Sequence, residues 1–272
     1  MPEIPEIETV RRQLAQNIFG KKIIKIKGER EKTFNLPLDE VVDLLQDTVT
    51  TQVIRKGKVI VLQFNKPLSL YFHFMLDGFV KFLKPGEEWD KKYQLMLEFS
   101  TGERLYFCKM YLGYIHLEET TDLDQIEEIA ELGPDLIVDQ LSLEEFKEML
   151  QSRRKMIKPL LMEQDFIAGI GNTYSNEGLF RAGIIPDKKA SNLSNEEIER
   201  LYQELLQLLN EAIEEGGVGD TFFSSDDRLT GGFRDNLRVS YKEDEPCPIC
   251  GQPISYQKIG GRNAFYCENC QS

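Results

Sequence analysis

Hydrophobic positions recur along this chain with two different periods, and the change of period divides it. At the start, Ile7, Val10, Leu14 and Ile18 follow helical spacing. Pro5 suits a first helical position, and Glu6 and Glu8 put negative charge in the first turn, where the helix dipole favours it. A helix packed on the rest of its domain is predicted there. From about residue 22 to 117 the pattern shortens. The runs KIIKIKG, QVIRKGKVIVLQF, LSLYFHFML, FVKFL, YQLMLEF and ERLYF are β-branched or aromatic and partly alternating. Turn material such as NKP, KPGEE and STGE separates them. These runs predict an all-β unit, a sandwich or barrel.

The helical period returns after an acidic stretch at 118–140, which is broken by LGPD at 132–135. Ser142 with Glu145 and Ser194 with Glu197 fit the capping box, in which each residue satisfies the other's backbone N–H. Ile198, Leu201, Leu205, Leu208 and Ala212 then form an apolar stripe that core packing explains. Residues 216–236 are rich in glycine and serine without any period and read as a long loop. A small cysteine-bearing unit follows from Pro246. The expected organisation is α+β and multidomain: an N-terminal β-sandwich domain at 1–132, a helical domain with the long loop at 133–236, and a cysteine unit at 237–272.

Charge changes the picture only once its distribution is known. The chain has 272 residues and a net charge of −13, which at first argues against a polyanionic partner. Residues 118–148 hold twelve acids and one lysine, a net of −11, so the remainder is at −2. Basic runs survive at 21–32 and at 149–190, the second including Lys155. No stretch approaches the roughly 20 apolar residues of a membrane span, and the first 30 residues contain no apolar signal region. A soluble, cytoplasmic protein is expected.

Three features carry chemistry. The pairs Cys247/Cys250 and Cys267/Cys270 place two C-x-x-C loops at zinc-ribbon spacing, and four thiolates close a tetrahedral sphere, which makes the metal structural. A redox pair is the other use of C-x-x-C, but two pairs at this separation favour one Zn2+ ion. Arg262 follows a Gly-Gly turn between the pairs, near an expected hairpin tip. Secondly, Gly169 and Gly171 make a tight turn from which Asn172 opens a helix. No strand precedes it and no third glycine follows, so it is not a dinucleotide fingerprint. Backbone N–H groups and the Asn172 amide there suit a DNA phosphate. Thirdly, the chain opens MPE. Trimming of Met1 would leave Pro2 as a free secondary amine beside the acid Glu3.

On MPEIPEIET, RKGKVIVL at 55–62, GIGNTYSNEGLFRAGIIP at 169–186 and EPCPIC…GRNAFYCENCQ, the chain resembles the formamidopyrimidine-DNA glycosylase/endonuclease VIII family over essentially its whole length. The resemblance implies a β-sandwich, a helix-two-turn-helix domain and a zinc finger. It also implies a bifunctional DNA glycosylase/AP lyase that removes oxidised bases in base excision repair and then cuts the strand by β- or β,δ-elimination. Pro2 matches the nucleophile, Glu3 the catalytic acid/base, Glu6 a supporting glutamate, and Lys58 the lysine near the damaged nucleoside. Asn172 and Arg262 match phosphate-gripping residues, and Lys155 is a further candidate DNA contact. The implied partner is damaged double-stranded DNA, bound by a monomer without an obligate protein partner, in cytoplasm at the bacterial nucleoid.

Two stretches depart from the formamidopyrimidine branch. That branch fills the gap left by the flipped base with a methionine in H-L-x-M-x-G and an arginine and phenylalanine in D-P-R-R-F-G. Here the stretches read HFMLDG (73–78) and CKMYLG (108–113), without the arginines. Leu76 takes the wedge position, helped by Met75, which is closer to the endonuclease VIII branch. Oxidised pyrimidines and formamidopyrimidines are therefore expected over 8-oxoguanine. The alternative is a protein that binds damaged or abasic DNA and has lost excision.

Overall fold

The short β-branched runs build two antiparallel four-stranded sheets. The protein is described by a computed structural model for residues 1–29 and 31–272. Arg30, one cation of the 21–32 run, lies outside the described residues. Helix α1 (Ile4–Ile18) is followed by β1 (Ile23–Gly28), α2 (Leu38–Leu45), β2 (Thr50–Lys56), β3 (Val59–Phe64), β4 (Ser69–His73), β5 (Phe79–Leu83), β6 (Leu95–Phe99), β7 (Arg104–Cys108) and β8 (Tyr114–Glu118). One sheet has the order β1-β6-β7-β5, the other β2-β3-β4-β8. Leu62, Leu70 and Phe72 from one sheet and Leu97, Leu105 and Phe107 from the other belong to a single buried core. Ile7, Leu14 and Ile18 of α1 join it, as the helical spacing predicts. This is the expected β-sandwich with its N-terminal helix.

Helix α2 interrupts the run read as all-β. Val41 and Leu45, one turn apart, are buried, Pro37 precedes the helix, and Asp39 and Glu40 fill its first turn. Two turns carry too little periodicity to stand out among strands.

The chain divides into two compact units: Met1–Pro2, Glu6–Glu131 and Val218–Gly231 form one, and the remaining described residues form the other. In the first, short helix α3 (Glu127–Ala130) follows β8. Residues 218–231, inside the span read as helical domain, pack in this N-terminal unit. Phe223 is buried with its ring stacked 5.5 Å from that of Phe82, and the Phe82 N–H donates to the Phe223 carbonyl at 2.7 Å. Asp227 organises the rest by accepting the N–H groups of Phe223, Leu229 and Thr230.

The second unit contains α4 (Leu143–Gln151), α5 (Ile157–Leu161), α6 (Asn172–Ala182), α7 (Asn195–Glu214) and the hairpin β9 (Ser255–Ile259)–β10 (Arg262–Tyr266). Both expected capping boxes form, at Ser142/Glu145 and Ser194/Glu197. The α7 stripe Ile198, Leu201, Leu205, Leu208 and Ala212 is buried. Helix α6 lies against it at Gly178, where a Cβ would stand 2.4 Å from Leu205 Cδ2. Glu177, wholly buried in α6, accepts the N–H groups of Arg238, Val239 and Ser240 at 2.7–3.0 Å and fixes the approach to the cysteine hairpin. Among the described residues no helix is long and apolar enough to cross a membrane.

Candidate active site

The turn before α6 is shaped by Gly169, whose φ of +96° lies in the left-handed region that glycine enters without a Cβ penalty. Gln164 pins it: Oε1 accepts the Gly169 N–H at 2.9 Å and Nε2 donates to the Ile170 carbonyl at 3.0 Å. A helix begins with N–H groups that have no partner inside it. From the sequence, an external phosphate is the expected ligand for these donors. Three of them are taken instead by the protein's own Glu3. Its carboxylate accepts from Gly171 N–H at 2.6 Å, Thr173 N–H at 2.9 Å and Tyr174 N–H at 3.3 Å. The dipole at this helix end favours the same negative charge. Glu3 is buried there, 168 residues from its first partner in the chain.

Gly171 permits this approach. A Cβ on it would lie 2.5 Å from Glu3 Cδ. Gly171→Ala should therefore displace the carboxylate and uncap the helix N–H groups, and hydrogen exchange at the Thr173 and Tyr174 amides should quicken by on the order of 10-fold, the scale of one hydrogen bond to a charged group. Unchanged exchange in a folded Gly171→Ala protein would show that the seat of Glu3 tolerates a Cβ.

In the N-terminal unit, Pro2 is half-buried and Met1 before it is 54% exposed. Glu6 accepts the Val218 N–H on Oε1 at 2.8 Å, so it anchors the start of the 218–231 loop. Lys58 is buried just after the turn at Gly57 between β2 and β3. That turn is tied to α1 by Arg55, whose Nε donates to Glu8 at 3.1 Å and whose Nη1 donates to the Gly57 carbonyl at 3.0 Å. Burial alone would raise the Glu8 pKa, but Arg11 and Arg55 together hold it below the usual range. His73, at the end of β4, accepts the Met75 N–H on Nδ1 at 2.9 Å. Burial, then the charges of Lys58 and the chain's amino terminus, lower its pKa to about 4. The imidazole is thus neutral near pH 7 with its proton on Nε2.

Asn172 is half-buried at the first position of α6, and Arg262 is exposed at the start of β10. The turn before Arg262 uses Gly260 at φ +57° and Gly261 at φ +77°. Lys155 is exposed and ion-paired with Glu163 at 2.6 Å. The lysine that reaches Asn172 is Lys158. Spacing alone offers no way to choose between them.

The sulfurs of Cys247, Cys250, Cys267 and Cys270 lie within 4.8 Å of one another, with Cys247–Cys270 at 3.8 Å and Cys250–Cys267 at 3.5 Å. Tetrahedral zinc with bonds of about 2.3 Å separates its sulfurs by about 3.8 Å. The donor set fits one structural zinc and leaves no coordination position for a catalytic water.

Comparison with known proteins agrees along the chain. Residues 1–110 match the formamidopyrimidine-DNA glycosylase N-terminal domain, 132–224 the formamidopyrimidine-DNA glycosylase H2TH domain, and 244–272 the zinc finger found in FPG and IleRS. The formamidopyrimidine-DNA glycosylase of Pelotomaculum thermopropionicum is 35% identical over 273 residues, covering all of this chain and 99% of the relative. The chain belongs to the formamidopyrimidine-DNA glycosylase family. Two crystal structures of the Lactococcus lactis member are similar over the full length of both chains. A glycine-to-proline point mutant bound to Fapy-dG containing DNA has TM-score 0.91 at 29% identity, and the wild type bound to oxidised-pyrimidine DNA has TM-score 0.89 at 30%. As a formamidopyrimidine-DNA glycosylase family member, this chain is a base-excision-repair DNA glycosylase with AP lyase activity and one structural zinc.

Within that family frame the two departing stretches sit side by side. A Cβ on Gly113 would lie 2.5 Å from the His73 carbonyl, and one on Gly78 would lie 2.7 Å from Met110 Sδ. The loops 74–78 and 109–113 thus close over buried Met110. Met75, at φ +52°, makes the bend of the first loop and is half-buried. Leu76 in the first loop is 55% exposed, and Tyr111 and Leu112 in the second are 52% and 64% exposed. Tyr111 and Leu112 were not singled out from the sequence. Their signal was two large apolar residues in a glycine-ended turn that no strand period explains.

Proposed function

We propose that the trimmed chain uses the Pro2 amine to attack C1′ of a damaged nucleoside in duplex DNA, and that Glu3 is its acid/base. The observation that carries this reading is the seat of Glu3: three backbone N–H groups fix an acid on the residue next to the nucleophile. An α-amine titrates near ~8, so a usable fraction is unprotonated at neutral pH, unlike a lysine near ~10.4. Attack forms the N–C1′ bond and breaks the bond from C1′ to the base, which leaves with a proton from solvent, while the amine proton passes to Glu3. Glu3 gives that proton to the ring oxygen, which opens the sugar and leaves a Pro2 iminium. Loss of the C2′ proton to a base then expels the 3′ phosphate, a second elimination expels the 5′ phosphate where the reaction runs to β,δ, and hydrolysis of the imine frees Pro2. Glu6 and the Arg55–Glu8 pair support the first helix and the Lys58 turn, and Lys58, Asn172 and Arg262 bind the flanking phosphates. The target base must leave the stack for Pro2 to reach C1′. A monomer suffices for these roles.

Leu76, Tyr111 and Leu112 fill the vacated space. Neither stretch carries an arginine, so no guanidinium from them reads the Watson–Crick edge of the orphaned base bidentately, an interaction worth about 1–3 kcal/mol of discrimination. Oxidised pyrimidines and formamidopyrimidines are then cut with little regard to the opposite base. The test is incision of duplexes carrying formamidopyrimidine, thymine glycol, dihydrouracil, 8-oxoguanine or an abasic site, each opposite C, A, G and T. Formamidopyrimidine and pyrimidine lesions should be cut fastest, with opposite-base ratios below about 10-fold. Fastest cutting of 8-oxoguanine opposite C would refute the preference. Tight binding without any incision would instead establish a damage-binding protein.

A further inference from the structure

Lys158, on α5, is a wholly buried lysine to which the steps above give no task. Its Nζ donates to Asn172 Oδ1 at 3.1 Å, to Ser175 Oγ at 3.0 Å and to the Asn172 carbonyl at 3.5 Å. An ammonium has three N–H donors and no acceptor, so these three oxygens occupy it fully. Leaving one of its donors unmet in so buried a place would be costly. The geometry has a consequence for Asn172. A primary amide presents an acceptor on one side and two donors on the other. With Oδ1 turned to Lys158, Nδ2 is turned away from it.

We propose that Lys158 is a positioning residue that locks the Asn172 amide with its N–H groups outward, as a preset donor to a DNA phosphate. The proposal rests on the reading of Asn172 as a phosphate contact. A side chain held in this way gives up no rotational freedom when the phosphate arrives. It also cannot offer its oxygen to the phosphate, which would repel it.

The lock depends on charge. The charged groups felt by Lys158 are Glu3, ahead of α1, and Arg262, on β10. Burial lowers the Lys158 pKa most, Arg262 lowers it further, and Glu3 raises it, with the result at about 7. Below that pH the ammonium demands the amide oxygen. Above it the neutral amine has a lone pair that can accept from Nδ2, and the amide can turn. A phosphate arriving at Asn172 and Arg262 offsets the positive field of the arginine and favours the charged lysine. DNA binding slightly above pH 7 should therefore take up a proton at Lys158.

The experiment is titration with a duplex containing a tetrahydrofuran abasic analogue, using the full-length zinc-loaded protein. Wild type, Lys158→Met, Asn172→Ala and the double variant are compared at pH 7.5. Each single change should weaken binding about 10-fold, as expected for one charge-assisted contact, and the double should be no weaker than Asn172→Ala alone. Calorimetry in buffers of different ionisation enthalpy should find proton uptake in the wild type and less in Lys158→Met. Losses that multiply in the double variant would overturn the positioning role while leaving Asn172 as a phosphate contact. Uptake that persists undiminished in Lys158→Met would overturn the charge dependence assigned to the lysine. An Asn172→Ala protein that binds as well as wild type would overturn both the positioning and the contact. If Lys158→Met does not fold, Lys158→Leu takes its place in the same cycle, read by the same outcomes.

Discussion

Protein that keeps a residue in front of Pro2 should give no borohydride-trapped complex with abasic-site duplex, while protein trimmed to Pro2 should be trapped efficiently. The difference is chemical rather than structural. With Met1 in place the Pro2 nitrogen is a tertiary amide, its lone pair delocalised into the carbonyl, and it can neither attack C1′ nor form an iminium. Once Met1 is removed, the same atom becomes a secondary amine titrating near ~8. Met1 is 54% exposed, so its removal requires no unfolding of α1. Equal amounts of the two forms, verified by mass spectrometry of the N-terminus, should bind a tetrahydrofuran duplex within a few-fold of each other. None of the residues assigned to phosphate contact, Lys58, Asn172 and Arg262, is altered by the block. Trapping should fall to background only in the blocked form. Equal trapping of both forms would transfer the nucleophile to a lysine. Equal failure of both, with DNA binding retained, would make the chain a damage-binding protein.

What could be read from the sequence was what the chain settles over short distances. The capping boxes at Ser142 and Ser194 need only an acid three residues on, and both form. The zinc ligands announce themselves because each x-x loop brings its own two sulfurs together. The α1 and α7 stripes repeat long enough to show their period. The active-site details were less legible because they join distant residues. Nothing within GIGNT says that its backbone donors are already filled by Glu3, and an empty helix N-terminus would have looked the same. Lys155 and Lys158 differ by three residues in one basic run. Only the start of α5 at Ile157 makes one of them a surface cation paired with Glu163 and the other a buried partner of Asn172. The stretch at 216–236 has loop composition, yet Phe223 fastens its middle to β5 and Asp227 ties the loop to itself, and no sequence period records a single buried ring. The exposed pair Tyr111–Leu112 leaves as faint a mark, because two apolar residues in a glycine-ended turn carry no period that separates an exposed pair from a packed one.

Removal of zinc should abolish specific DNA binding without unfolding the β-sandwich. Two small apolar clusters hold the cysteine hairpin: Phe180 and Val239 with Cys247, Ile254, Phe265 and Cys267, and Ile185 with Ile259, Ala264 and Tyr266. At about 1.5–3 kcal/mol for each fully buried large side chain, Ile254, Ile259, Phe265 and Tyr266 provide roughly 6–12 kcal/mol, less than the conformational entropy of ordering the segment at roughly 1–2 kcal/mol per residue. Structural zinc supplies about 10–16 kcal/mol in comparable finger peptides, so the metal decides whether β9 and β10 form. The Glu177 clasp on Arg238, Val239 and Ser240 lies upstream and should survive. After chelation, hydrogen exchange should show protection lost across 247–270 and retained in α6, α7 and both sheets. With Arg262 no longer held at its Gly-Gly turn, affinity for the abasic duplex should drop on the order of 100-fold, and added zinc should restore it. Acid should have the same effect as chelator, because only thiolates bind the ion and protons compete for them. Protection of 247–270 that persists after one equivalent of zinc has been removed would contradict this dependence, and would mean that the cluster around Phe265 holds the hairpin without the metal.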